Sequence, residues 1–210
     1  MSPQPRHSGG AQPSDSAGPQ PRDSGPPQTP RLRLFVAADL PAPVRAALAA
    51  FRDAADPATW RPVPDEALHV TLAFLGHLPE EAADATAAVL DRAAGPAPRL
   101  VIAGPLLLPP RRGRVLCAAL ADPDGTLAAL QQRASDGLEA ADLYTPEKRP
   151  FRAHATVARL RSGARSPRAL PDGLAPEPLE FHAEAVTLYR SRLGRGGARY
   201  EPLHRVALRP

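Results

Sequence analysis

The sequence predicts an α+β domain of two mixed or antiparallel sheets with helices outside, arranged as two similar lobes that face one another across a cleft. Three observations lead there. Strand-like segments outnumber helical ones and do not alternate with them, which argues against a doubly wound parallel sheet. A His-x-Thr-apolar tetrapeptide occurs twice, as His69-Val70-Thr71-Leu72 and His154-Ala155-Thr156-Val157, 85 positions apart (154 − 69). Each copy comes after a Pro-acidic turn, Pro64-Asp65-Glu66 in one case and Pro146-Glu147-Lys148-Arg149 in the other.

Arg31–Asp39 alternates, with Leu32, Leu34 and Val36 on one parity, and is a first strand. Pro41 opens an Ala-rich helix over 42–55, in which Val44, Leu48 and Phe51 fall near helical spacing. Trp60–Val63 is a short extended piece, and Leu68–Leu75 is a strong strand expected to stop at Gly76. Pro79-Glu80-Glu81 starts a helix running to about Ala94, with acidic residues where the helix dipole favours them. Arg99–Ala103 and Arg114–Leu120 are strands joined by the loop Pro109–Gly113. Asp124–Ala141 is a third helix, with Leu127, Leu130, Ala134 and Leu138 on one face. Phe151–Leu160 is the second histidine strand, and 161–178 a Pro/Gly/Arg loop. Phe181–Arg190 and Arg199–Leu208 form a hairpin about a turn holding Gly194, Gly196 and Gly197.

Residues 1–30 differ from the rest. They are almost wholly Pro, Ser, Gly, Gln and Ala, with no large apolar side chain beyond Met1, so they cannot offset the entropy of ordering. A disordered tail over 1–30 and a single bilobal domain over 31–210 are expected. The tail has no apolar central region and is not a signal peptide, and no later stretch is apolar enough to span a bilayer. The single cysteine, Cys117, cannot form an internal disulfide. That fits a reducing interior, and a cytoplasmic protein is expected. Cys117 lies in an apolar run with no His or cation beside it, which reads as a buried small hydrophobe and not a nucleophile. The net charge of +4 comes from Arg, since Lys148 is the only lysine, and points weakly to an anionic partner.

Strand side chains alternate faces, so His and Thr two apart point the same way. If the two motifs pair in space, one cleft receives two imidazoles and two hydroxyls. That inventory supplies an acid, a base and two neutral donors, which suits transfer at a phosphate ester without a metal. Two histidines 85 positions apart lack a nearby third ligand, and the spacing is neither HExxH nor CxxC, so a metal site is not expected.

On these residues the chain resembles the two-histidine (2H) phosphoesterase superfamily, and within it the RNA 2′,3′-cyclic phosphodiesterase (2′-5′ RNA ligase) family. The opening RLFVAADLP, from Arg33 on, is succeeded by PDEALHVTLAFLG, PPRRGRVL, PEKRPFRAHATVARL and VTLYRSRLGRGGARYEPL, in family order across nearly all of 31–210. The resemblance implies a bilobal pseudo-two-fold fold with both motifs on inner strands. It also implies cofactor-free hydrolysis of an RNA 2′,3′-cyclic phosphate end to a 2′-phosphomonoester, the reverse of a 2′-5′ ligation. By resemblance, His69 is the proton donor to the leaving oxygen and His154 the base that activates water. Thr71 and Thr156 are then the phosphate ligands, and Arg159 a further phosphate contact.

Strict alternation puts Arg159 on the wrong face, so the strand must end or twist before it. Phe35 and Phe151 are candidates for stacking on a base, and Tyr189 for the cleft rim. Arg111-Arg112 and Lys148-Arg149 are placed to meet an RNA backbone. A monomer acting on RNA is expected. The competing readings are a phosphodiesterase for a small cyclic phosphate or a 2′-5′ linkage, and a non-catalytic RNA-binding module that keeps the cleft.

Overall fold

The computed structural model describes residues 30–110, 112–194 and 197–209. The expected tail therefore lies outside the described residues, except Pro30, as do Arg111 and Gly196. The elements are β1 (Arg31–Asp39), α1 (Ala42–Asp53), β2 (Trp60–Pro62), a 3₁₀ turn (Asp65–Ala67), β3 (His69–Pro79), α2 (Ala82–Ala93), β4 (Arg99–Leu108), β5 (Val115–Ala121), α3 (Thr126–Ala140), β6 (His154–Leu160), β7 (Glu180–His182), β8 (Ala185–Gly194) and β9 (Gly197–Ala207).

The two expected sheets are two halves of one sheet whose ladders are all antiparallel. Its order is β7-β4-β5-β6-β3-β1-β8-β9, with β2 on β6. The halves meet at one residue pair, Val70 opposite Ala155. That pair stands at the same place in the two motifs (155 − 70 is again 85), so the axis relating the lobes passes between them. Helices crowd the opposite face from the motif side chains, and each lobe's helix covers the other lobe's central strand: α1 packs on β6, and α3 on β3. Leu34, Val36, Val70, Leu116, Ala155, Val157 and Leu188 from the sheet meet Leu48, Leu90, Leu127, Leu130 and Leu138 from the helices, all buried. Among the described residues no helix is long and apolar enough to cross a membrane.

Three boundaries differ most from expectation, while β6 begins at His154, three residues after the expected Phe151. Gly76 does not end its strand. It takes φ +74°, a backbone conformation a β-carbon disfavours, within a bulge where Leu75 is unpaired between Phe35·Phe74 and Leu34·Gly76, and β3 runs on to Pro79. The strand expected to end at Ala103 runs on to Leu108 through Gly104-Pro105, because β5 pairs with it along its length. The strand expected as Phe181–Arg190 is two strands. Glu180–His182 closes the outer edge beside β4, and after Ala183-Glu184 the chain crosses to β1, with four strands lying between in the sheet order, and hydrogen-bonds there as β8.

Candidate active site

The motif strands carry an irregularity that period-two alternation does not foresee. In the β1–β3 ladder Ala37 faces Thr71 but Val36 faces Ala73, so Leu72 is an extra residue. In the β5–β6 ladder Cys117 faces Thr156 but Leu116 faces Ala158, so Val157 is extra. Leu72 and Val157 occupy the same position in the two halves (157 − 72 is 85). A bulge of this kind reverses the facing of the residues beyond it. Leu72-Ala73 and Val157-Ala158 are accordingly buried as consecutive pairs, and the next residues, Phe74 and Arg159, turn to the cleft face with the histidines and threonines. This resolves the difficulty over Arg159: the strand does not end before it, and the bulge supplies the local turn that brings it to the cleft face.

With Val70 opposite Ala155, antiparallel pairing sets His69 across from Thr156, and Thr71 across from His154. All four side chains line one cavity of about 440 Å³, together with Arg33, Phe35, Arg61, Phe74, Arg159 and Tyr200. The histidines are held alike. Nδ1 of His69 lies 2.8 Å from the carbonyl of Ala67, and Nδ1 of His154 lies 2.7 Å from the carbonyl of Arg152, again 85 positions on. A carbonyl only accepts, so Nδ1 carries the proton in both rings, and Nε2 is the nitrogen left for chemistry. In His69 that nitrogen receives the Thr71 hydroxyl at 3.1 Å. Thr156 has a different neighbour: its Oγ1 lies 3.6 Å from Sγ of Cys117. Burial pushes the Cys117 thiol up to about 11, so it stays protonated, as expected of a packing residue.

The surroundings of the two histidines differ. His69 sits among aromatic rings, 4.9 Å from Phe35 and 5.2 Å from Tyr200, centroid to centroid. Burial there pushes its pKa down to about 4, against the opposing pull of the Ala67 carbonyl and of Asp39, while Arg159 and His154 push it further down. Asp39 is the register partner of His69 on β1, whereas His154 faces Ala119 on β5. The Asp39 carboxylate accepts hydrogen bonds from Tyr189 Oη, Thr187 Oγ1 and Arg205 Nε, each at 2.9 Å.

Two expectations are corrected by this packing. Phe35 lines the cleft wall but is only 3% exposed, with Tyr189 stacked on it at 5.2 Å and Tyr200 edge-on at 4.9 Å, so it supports His69 and offers no free face to a base. Tyr189 stands one layer back, with its hydroxyl committed to Asp39, and Tyr200 of β9 takes the rim position. Phe151 lies in a second groove, of about 710 Å³, with Lys148, Arg149 and Arg152. That groove opens off the first and shares Thr71, Phe74 and His154 with it.

Arg33, Arg61, Phe74, Asp39 and Tyr200 were not singled out from the sequence. For Phe74 a signal existed: the doublet Leu72-Ala73 breaks an alternating pattern just ahead of it, as Val157-Ala158 does ahead of Arg159. Arg61 is brought in by β2, directly opposite Arg159 in the ladder, and like charges so placed repel unless an anion lies between them. Among the described residues no group of three or more His, Cys, Asp or Glu side chains converges as a metal site.

A sheet doubled about one residue pair, bringing two His-x-Thr couples onto one face with arginines at its margins, defines a family. The chain belongs to the 2′-5′ RNA ligase superfamily, whose family model matches residues 39–195. Two relatives carry the name RNA 2′,3′-cyclic phosphodiesterase. That of Escherichia coli (strain K12) is 32% identical over 179 residues, covering 84% of this chain and 96% of the relative. That of Thermus thermophilus is 35% identical over 190 residues, covering 85% and 91%. Among solved structures, E. coli LigT complexed with 3′-AMP superposes with a TM-score of 0.72 at 30% identity, over 85% of this chain and 99% of that one. TT0787 of T. thermophilus does so at 0.67 and 31%, over 84% and 98%.

Proposed function

We propose that the chain is a hydrolase that opens the 2′,3′-cyclic phosphate at an RNA end to a 2′-phosphomonoester, by acid and base catalysis from two histidines. The observation that carries the reading is the pairing of Val70 with Ala155, which puts both His-x-Thr couples in one cleft. The relatives named as RNA 2′,3′-cyclic phosphodiesterases, aligned over most of their length, support the substrate.

Hydrolysis proceeds in line. His154 accepts a proton at Nε2 as water attacks phosphorus, and the bond from phosphorus to the ribose 3′ oxygen breaks as His69 donates the proton on its Nε2 to that oxygen. Thr71 and Thr156 donate hydrogen bonds to the non-bridging oxygens, and Arg159, with Arg61 beside it, balances their charge. His69 must be protonated to serve as the acid, yet burial favours its neutral form. The bound phosphate supplies the missing counter-charge from the cleft side, and Asp39 supplies one from β1. That carboxylate, with Ala119 at the matching place beside His154, breaks the symmetry in favour of His69 as the donor.

The test is an RNA oligonucleotide ending in a 2′,3′-cyclic phosphate, incubated with EDTA and with wild type, His69→Ala or His154→Ala. Conversion to a 2′-phosphate, slowed about 10²–10⁴-fold in each variant, is expected. A 3′-phosphate product would overturn the leaving-group assignment. Equal turnover in wild type and both variants would overturn the two-histidine reading, and absence of turnover from folded wild type would overturn the enzyme reading.

A further inference from the structure

We infer that the groove of about 710 Å³ opening off the cleft is a subsite for the nucleotide next to the RNA end, where Lys148 and Arg152 meet the phosphate that joins it to the terminal ribose. The inference rests on the phosphodiesterase reading of the adjoining cleft. The groove exists because the two lobes differ at one place. In the first lobe β2 lies along β6, with Trp60, Arg61 and Pro62 opposite Leu160, Arg159 and Ala158. The equivalent residues, again 85 positions on, are Thr145, Pro146 and Glu147, whose place would be along Leu75, Phe74 and Ala73 of β3. They form no strand there, and among the described residues the only pairing on that edge of β3 is Val70 with Ala155. The space is left open between Ala73 and Pro146-Glu147, and it runs into the cleft at Thr71 and His154.

The charge of the groove comes from the same asymmetry. Lys148 and Arg152 stand 85 residues past Val63 and Ala67, which are buried in the first lobe, whereas in the second both cations are exposed on the groove's lining. Among the described residues, the one carboxylate on that lining is Glu147, paired with Arg149 at 3.2 Å, and neither Lys148 nor Arg152 has a carboxylate partner. Arg152 is also tied to the reacting centre, because its carbonyl accepts the Nδ1 proton of His154. Cations without a counter-charge, beside a site for a terminal phosphate, are complementary to the next phosphate of a single strand. The half-buried rings of Tyr144 and Phe151 give the attached nucleoside an apolar wall. An open strand edge also suits an extended peptide, but a peptide has no need of two cations at the mouth of a phosphate site.

The experiment compares three substrates with the same reacting group: adenosine 2′,3′-cyclic phosphate, the dinucleotide adenylyl-adenosine 2′,3′-cyclic phosphate, and that dinucleotide joined by a neutral methylphosphonate. Wild type and the double variant Lys148→Gln, Arg152→Gln are assayed on each. In wild type the ratio of kcat/KM for the dinucleotide to that for the mononucleotide is expected to be about tenfold or more, and to fall towards one with the neutral joint or in the double variant. The slope of log kcat/KM against log salt for the dinucleotide should flatten by about 0.7 in the double variant, the ion release of one phosphate. A wild-type ratio near one would overturn the subsite and leave the open strand edge to a peptide. A ratio unchanged in the double variant would overturn the part given to the cations, because a loss of general structural origin lowers both substrates together. Calorimetric binding of 2′-AMP and of adenylyl-adenosine 2′-phosphate needs no turnover: tighter binding of the dinucleotide by wild type, lost in the double variant, supports the subsite, and equal binding overturns it. Failure of wild type to hydrolyse any of the three substrates would count against the phosphodiesterase reading, and the binding comparison would still decide the subsite.

Discussion

Phe74 and Arg159 occupy one and the same position in the two halves of the site. Each lies five residues past its histidine, and each is turned into the cleft by an equivalent one-residue bulge, at Leu72 and at Val157. The lobes place their histidines and threonines alike but end the series differently, one with an aromatic ring and the other with a guanidinium. The cleft therefore has two chemically distinct margins.

Arg159→Ala should lower kcat/KM for a 2′,3′-cyclic phosphate about 10–100-fold, the worth of a charge-assisted hydrogen bond to an anion. Arg159→Lys should recover only part of this, because an ammonium keeps the charge and loses the planar fork. Steady-state kinetics on both variants decide it, and an alanine variant equal to wild type would remove Arg159 from the site.

The His69 imidazole should titrate near pH 4 in the free protein, and at least a unit higher with 2′-AMP bound, since the phosphate opposes the burial that depresses it. The pH dependence of its ring NMR signals, assigned by their loss in His69→Gln, gives both values. A titration unmoved by the ligand would transfer the donor role away from His69.

The same depressed pKa links stability to pH. The folded-state value of about 4 lies below the ordinary 6.5, so the unfolded chain binds this proton more tightly. The stabilisation is whole above pH 6.5 and is lost as pH falls towards 4, by up to about 3 kcal/mol. Urea denaturation across that window should show a steeper acid loss in wild type than in His69→Gln, and parallel curves would contradict it.

Asp39→Asn should destabilise the fold by about 1–3 kcal/mol, because the amide presents donors where Tyr189, Thr187 and Arg205 all donate. It should also lower the His69 titration further, because it removes the one negative charge paired with that ring in the ladder. The two effects are read separately, by urea denaturation and by the NMR titration above. A His69 titration unchanged in Asp39→Asn would deny the carboxylate any part in making His69 the acid.

Much of the site is legible in the chain. His69 with Thr71, and His154 with Thr156, share a face because side chains two apart on a strand do so whatever the partner strand. The helices on 42–53 and 126–140 arise from apolar spacing, within a few residues of their observed ends. The bulges left only the apolar doublets Leu72-Ala73 and Val157-Ala158 as a trace, because Leu72 and Val157 are aliphatic residues among aliphatic residues and only the ladder shows that they are unpaired. Misreading Gly76 as a strand end has the same origin: a positive-φ glycine serves a turn or a bulge equally well.

The sequence by itself determined the elements, the two equivalent motifs and the chemistry they can perform, since these depend on the covalent alternation of side chains along a short segment. Only the tertiary structure decided that the lobes meet at Val70 and Ala155, that β7 and β8 part company at Ala183-Glu184, and that Asp39 gathers Thr187, Tyr189 and Arg205 from about 150 residues away. Those arrangements are fixed by the register of hydrogen bonds between distant strands and by burial shared between them, and neither is written in any one segment of the chain.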